Sequence, residues 1–311
     1  HRILKAVLSI QPRVAHQGVQ GSKLSIEILV EEMASEFEGK LPSKIDIRAT
    51  SEPELLHNSL ETVRKQELAR FNLLIDTIAQ TLTELRKGIK GLVLMSADLE
   101  AMFNAINDNQ VPKLWANAAY PSLKPLASWF SDMLGRVGFF RRWTISHALP
   151  KAFLLPAFFF PQGFITALLQ NHARRDRIAI DALSFQFLVK HSDTENDLDA
   201  RPEDGEFVEG LWLEAARWSK KQKRLRPSQE GEMLSPMPLI HFLPVDKHDG
   251  SFDEQGSANY SCPLYKTSTR KGTLSTTGHS TNFVTSVALP SEEPPEVWVL
   301  QATCLLCMTN E

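Results

Sequence analysis

The chain has 311 residues, 42% of them apolar, three cysteines and a formal net charge of −3. That is enough apolar material for two domains with cores of their own, and so small a charge excludes a global field favouring nucleic acid or an anionic membrane. The odd number of cysteines fits a reducing compartment, no secretory signal is visible, and an opening on His1 is what a fragment would show.

Residues 22–38 place Leu24, Ile28, Leu29 and Met33 on one side and acids on the other, which predicts an amphipathic helix stopped by Pro42. A much longer helical pattern covers residues 59–95. Its apolar residues Phe71, Ile75, Ile78, Leu82, Leu85, Ile89 and Leu92 are spaced alternately by four and three, a heptad seam that packs one narrow stripe against other helices. Continuous over that span, the helix would reach about 55 Å. The seam is flanked mostly by Thr, Gln and Ala rather than by the paired charges of a self-dimerising coiled coil. Gly88 and Gly91 each weaken the helix by about 1 kcal/mol relative to Ala, so a close helix–helix contact is expected there.

Shorter helices are predicted at residues 97–107 and 123–143. Pro161, with its fixed φ, suits the first turn of another that runs to residue 175. The apolar run at 153–169 contains Pro156 and Pro161 and is too broken to span a bilayer. Trp115, Trp129, Phe130, Phe139, Phe140 and Trp143 read as core rather than as a stacking platform for bases or a cofactor. After Asp176 the period changes to two: Leu183, Phe185, Phe187 and Val189 alternate with smaller or polar residues. An acidic, solvated loop at 191–206 follows. Further strands are predicted at 207–213, 239–243, 264–267, 282–289 and 297–307. The fold class is therefore α+β: a helical N-terminal half with one long helix, then a small antiparallel β-barrel-like domain of six short strands.

Motifs for chemistry are sparse. The chain holds no G-x-x-x-x-G-K-[ST] string for a triphosphate, and Gly278-His279-Ser280-Thr281-Asn282 lacks the second glycine of a nucleophile elbow. His279 with Ser275 or Ser280 could form a nucleophile–base pair, but nothing specifies a third member to orient it. The alternative for residues 273–281 is a structural turn whose hydroxyls satisfy local backbone groups. His172 reads as a packed or hydrogen-bonded core histidine. Cys304-Leu-Leu-Cys307 has a metal-like spacing without a second pair or a nearby histidine, so buried thiols on a terminal strand are expected. The run Asp193, Glu195, Asp197, Asp199 has Leu198 where a calcium loop needs glycine. Lys220-Lys-Gln-Lys-Arg224 reads as a solvated face rather than a dock for acidic tubulin or nucleic acid. No catalytic, cofactor-binding or metal-ligating residue is assigned.

The stretch Cys262-Pro-Leu-Tyr-Lys-Thr-Ser-Thr-Arg-Lys-Gly-Thr-Leu-Ser-Thr-Thr-Gly-His-Ser-Thr-Asn-Phe283 resembles the C-terminal signature of dynein heavy chains. Gln11-Pro-Arg13 and Gly39-Lys-Leu-Pro-Ser-Lys-Ile-Asp46 are similar to the end of the last AAA+ module of a dynein ring. Gln66-Glu-Leu-Ala-Arg-Phe-Asn72 and Lys87-Gly-Ile-Lys-Gly-Leu-Val-Leu-Met-Ser96 resemble the long helix after it. Val111-Pro-Lys-Leu-Trp115, Tyr120-Pro-Ser-Leu-Lys-Pro-Leu-Ala-Ser-Trp129, Phe158-Phe-Phe-Pro-Gln-Gly-Phe164, Leu169-Gln-Asn-His-Ala-Arg174 and Gly210-Leu-Trp-Leu-Glu-Ala-Ala-Arg-Trp218 continue the likeness in the family's order. Ala215 and Ser219 depart from it, where the family usually has Gly and Asp. The Tyr-Pro-Ser-Leu-Lys-Pro and Phe-Phe-Phe-Pro-Gln-Gly-Phe blocks look axonemal.

The resemblance implies that residues 1–50 end the sixth AAA+ module, 51–176 form the helical part of the C-terminal extension, and 177–311 a β-rich, barrel-like domain. It also implies ATP hydrolysis in earlier ring modules, chiefly the first, so that this region is not itself an enzyme and takes no cofactor. Its implied role is to brace the ring and tune how nucleotide state reaches the microtubule-binding stalk, with the long helix spanning ring modules. The implied partners are the AAA+ modules of the same heavy chain, dynein complex subunits and, through the parent motor, microtubules, in the cytoplasm and the cytoskeleton of a ciliary or flagellar axoneme. Neither nucleic acid nor membrane is expected as a partner. The rival readings are a hydrolase centred on His279 and a free-standing axonemal interaction module.

Overall fold

Helix boundaries fall where capping chemistry puts them in the computed structural model, which describes residues 22–47, 58–146, 148–248, 259–270, 272–274 and 280–309. The helices among these residues are α1 (Ser22–Lys40), α2 (Ser59–Ile89), α3 (Ala97–Asn107), α4 (Lys113–Ala118), α5 (Leu126–Ser146), α6 (Pro161–Asp176) and α7 (Pro295–Leu300). Helix α2 stops short of the expected residue 95. The Leu92 N–H donates to the Lys87 carbonyl at 2.9 Å and the Gly91 N–H to the Gly88 carbonyl at 2.9 Å. Gly91 itself has φ +69°. This is a Schellman cap, whose left-handed residue is most easily a glycine. The 31 residues of α2 span about 46 Å.

The expected helix–helix contact at these glycines is corrected accordingly. A Cβ on Gly91 would meet nothing within 4 Å, whereas one on Gly88 would lie 2.9 Å from Met95 Sδ. The close approach at Gly88 comes from the chain's own return after the cap.

The chain groups into two units, residues 1–49 with 66–141 and residues 50–65 with 142–310. The first is helical. Its seam residues Phe71, Ile75, Ile78, Leu82 and Leu85 are buried, while Leu92, past the cap, is 72% exposed. Aromatic rings fill the rest of this core: Phe37 lies 4.6 Å from Phe130, Phe71 5.5 Å from Phe140, and Trp115 stacks on Trp129 at 6.0 Å. The Trp115 indole N–H donates to the Thr81 hydroxyl at 2.9 Å. The core reading of these aromatics holds.

The second unit carries α6, α7 and the strands β1 (Ala152–Leu154), β2 (Leu183–Val189), β3 (Glu206–Glu209), β4 (Leu211–Glu214), β5 (Ala216–Ser219), β6 (Arg224–Pro227), β7 (Leu234–Pro236), β8 (Ile240–Asp246), β9 (Asn259–Tyr265), β10 (Phe283–Pro290) and β11 (Cys304–Cys307). They form a four-stranded sheet ordered β1-β3-β8-β2, a five-stranded sheet ordered β10-β9-β11-β4-β7, and the β5–β6 ribbon. The α+β class stands, but the antiparallel barrel does not: no sheet among the described residues closes, and β1–β3 and β11–β9 are parallel.

Two local features account for the difference. Gly210, at φ +83°, splits the expected 207–213 strand and sends β3 into one sheet and β4 into the other. A side chain there would run into Pro156. The expected 297–307 strand begins instead as α7, because Pro295 takes the first helical turn and Trp298 is buried with its indole N–H 2.7 Å from the Ser291 hydroxyl. Only after Ala302, at φ +56°, does the backbone enter β11, which lies between β9 and β4. No helix among the described residues is long and apolar enough to cross a membrane.

Candidate functional site

A dense charged constellation among the described residues sits at the C-terminal end of α6. His172, Arg175 and Asp176 are spaced i, i+3 and i+4, so one helical face presents all three. Asp204 joins them from the turn before β3, where Gly205 takes φ +64° and a Cβ would run into the Phe242 carbonyl oxygen. Arg175 Nη2 lies 2.7 Å from Asp176 Oδ2, 2.9 Å from Asp204 Oδ2 and 2.9 Å from His172 Nδ1. His172 Nε2 is 3.2 Å from Asp176. His172 Nδ1 also lies 3.1 Å from Asp204 Oδ2, so the two ring nitrogens face the two carboxylates. The Gly205 N–H donates to Asp204 Oδ1 at 2.7 Å, and His241 Nε2 lies 2.7 Å from the Asp204 backbone oxygen. The constellation thereby ties α6 to β3 and β8.

Electrostatics follow from this geometry. Arg175 holds the Asp176 carboxyl below its ordinary range. Burial works against the charge on Asp204, but hydrogen bonds from Arg175, Gly205 and His172 prevail and lower it too. Next along β3, Glu206 goes the other way: burial pushes it up to about 7 despite its contact with Arg201. His172, Asp176 and Asp204 bring ligand atoms within 4.8 Å of one another. A cation among them would have to displace the Arg175 guanidinium, which already supplies the positive charge to both carboxylates.

The sequence placed His172 correctly as a hydrogen-bonded core residue, 9% exposed. Arg175 and Asp176 were within reach of the i+3, i+4 rule. Asp204, 32 residues from His172, carries no local signal.

Other residues weighed from sequence have separate fates. Ser275 and His279 lie outside the described residues. The Ser280 hydroxyl accepts from the Asn282 N–H at 3.2 Å, and the Thr281 N–H donates to the Thr273 carbonyl at 3.0 Å, so these groups serve a turn. Cys304 and Cys307 are buried on β11, as expected. Three apart on a strand, they point to opposite faces and do not share one ligand position. Burial raises Cys304 to about 12 and Cys262 further, which keeps both thiols protonated. In the acidic run, Asp197 accepts from the Thr194 N–H at 3.0 Å, Asp193 pairs with Lys220 at 2.6 Å, and Glu195 accepts from the Lys151 N–H at 3.0 Å. These three acids turn to three different partners, not to one ion. Lys220 through Lys223 form the exposed turn of the β5–β6 ribbon, and Arg224 opens β6, half-buried.

Compared with known proteins, residues 1–307 match the family model of the C-terminal domain of the dynein heavy chain. The chain belongs to that family. It is 41% identical over 307 residues to dynein axonemal heavy chain 1 of Mus musculus, covering 98% of this chain and 7% of the relative. Over 334 residues it is 38% identical to dynein axonemal heavy chain 6 of Homo sapiens, covering 99% and 8%. Over 312 residues it is 39% identical to dynein axonemal heavy chain 3 of Homo sapiens, covering 100% and 7%. The chain thus spans less than a tenth of the length of these relatives. The resemblance read from sequence is borne out, including its axonemal character. Ala215, where the resemblance implied a glycine, sits at φ +60° between β4 and β5. That is a conformation that glycine adopts without strain and alanine does not.

Proposed function

We propose that this chain is the non-catalytic C-terminal region of an axonemal dynein heavy chain, bracing the AAA+ ring and tuning how nucleotide state reaches the microtubule-binding stalk. The observation that carries the reading is the family match over residues 1–307, together with relatives that are axonemal heavy chains. In this reading residues 1–50 end the sixth AAA+ module, 51–176 form the helical part of the extension and 177–311 its β-rich part. The partners are the ring modules of the same chain, other dynein subunits and, through the whole motor, microtubules of the ciliary or flagellar axoneme. ATP hydrolysis belongs to modules elsewhere in the heavy chain. The charged groups around Arg175 serve as a clasp rather than as acid, base or metal ligand, which their mutual pairing supports.

The test is the parent heavy chain with and without residues 97–311. Truncation is expected to leave nucleotide binding in place and to change microtubule-stimulated ATPase and gliding velocity. Unchanged motility would overturn the bracing role, and micromolar ATP binding by residues 1–311 would overturn the non-catalytic one.

A further inference from the structure

The β5–β6 ribbon sets like charges face to face. Its antiparallel register places Arg217 directly opposite Arg226 and Ser219 opposite Arg224. The three arginines therefore share one face, while Ala216 and Leu225 on the other are buried. Like charges in directly opposite positions work against a strand pair. Among the described residues one carboxylate answers them: Glu292 bridges the two arginines of β6, with Oε1 2.6 Å from Arg224 Nη1 and Oε2 2.8 Å from Arg226 Nη1. Gln222 takes the Nε of both, Arg224 on its backbone carbonyl at 3.2 Å and Arg226 on its side-chain oxygen at 2.5 Å. Each β6 guanidinium is thus held by two nitrogens, and its Nη2 has no partner among the described residues. Arg217 pairs with no carboxylate among those residues, and its Nε is buried without an acceptor. Cut off at Nε from both water and protein, its charge is under-solvated, and an anion at the outer nitrogens gains accordingly.

We infer that the Arg217, Arg224 and Arg226 face of this ribbon binds a phosphate monoester or the free phosphate ion. Three guanidiniums against one carboxylate leave a surplus of two positive charges. A phosphate monoester carries about −1.5 to −2 at neutral pH and offers three acceptor oxygens to the unused donors, whereas a carboxylate would answer only half the surplus. The exposed Lys221 and Lys223 of the connecting turn add to the attracting field, while Lys220 is taken up by Asp193 at 2.6 Å. The site stands apart from the bracing role and does not depend on it.

The test is arginine modification by phenylglyoxal in the full heavy chain, read peptide by peptide. The probes are inorganic phosphate and N-acetylphosphoserine amide, with chloride and acetate at equal ionic strength as controls. Arg217 and Arg226 are expected to react about fivefold more slowly or less under a phosphate probe, with a saturable midpoint of about 1 mM or below. The exposed Arg177 should keep its rate. Stronger protection by the phosphoserine amide assigns the site to a phosphorylated side chain, and the reverse order assigns it to the free ion; either sustains the phosphate site. Equal protection by acetate would overturn it in favour of a carboxylate. Unchanged rates, or protection shared by Arg177, would overturn it outright.

Arg217→Gln gives a second readout. It removes one of two facing cations, so the ribbon is expected to stay folded while phosphate protection at Arg226 is lost. Arg226→Gln, read at Arg217, repeats the test from the other strand. Undiminished protection in both variants would overturn the shared site.

Discussion

Two carboxylate sites, one in each unit, handle charge in opposite ways. In the helical unit Asp132 is wholly out of water, with the Tyr120 hydroxyl at 2.8 Å, Arg136 Nε at 2.7 Å and Lys124 Nζ at 3.4 Å around it. In the sheet unit the ion pairs of Arg175 with Asp176 and Asp204 at the end of α6 lie at the rim, with Arg175 about half exposed. The lesson is one of reference states. A carboxylate removed from water depends on its protein partners for all its solvation, whereas one at the rim is resolvated when a partner leaves.

The sharpest break of this contrast is Asp132→Ala. It removes a carboxylate that faces two cations and a phenol in a dry site, and should cost about 3–5 kcal/mol in chemical denaturation. A cost near that of a surface pair would remove the distinction between the two sites.

Glu206 tests whether the sheet unit behaves the same way once a carboxylate there is buried. Its folded pKa of about 7 stands above the ordinary 4.5, so the folded state binds the proton more tightly. Stability from this group is fully present below about pH 4.5 and is lost as the pH rises through 7. Glu206→Gln should therefore flatten stability across that window and gain about 1–3 kcal/mol at pH 8. A variant less stable than the parent at pH 8 would mean that the Arg201 contact outweighs burial.

Backbone strain offers a smaller pair of effects with opposite signs. Gly91→Ala should cost about 1–2 kcal/mol because the left-handed cap must hold a Cβ, while Ala215→Gly should raise stability by about 1 kcal/mol. Thermal unfolding of both variants checks the pair, and a stabilising Gly91→Ala would deny the cap its role.

The smallest expected change is Asp204→Asn, about 1 kcal/mol or less at neutral pH, because the pair it breaks is half exposed. Asp176 and Asp204 are both held below the ordinary 3.8, so their contribution is present above that value and fades as the pH falls below it. The variant should lose part of that acid limb in a pH titration of stability.

Legibility differed between the units for related reasons. Helix α3 lies at its expected residues 97–107, α6 begins at Pro161, and the seam from Phe71 to Leu85 is buried as its spacing requires. The end of α2 departs from the expected residue 95 because a glycine near the end of a periodic run can signal either a packing contact or a cap, and Gly91 is a cap. Strands β1, β5, β6 and β7 are three or four residues long, too short to show a period. At the candidate site, the helical members share a spacing that a sequence displays, and Asp204 does not.

By itself the sequence determined the helical seam, the aromatic core of the first unit, the proline-set start of α6 and, through ordered segments, membership of the family of dynein C-terminal domains. Tertiary structure decided which strand joins which sheet, where α2 stops, and that Arg175 sits between Asp176 and Asp204. The physical reason is range. Helical periodicity is set by neighbours three and four residues away, whereas β1 finds β3 across more than fifty residues, and Gly210 decides the sheet of each strand beside it only through the turn it permits.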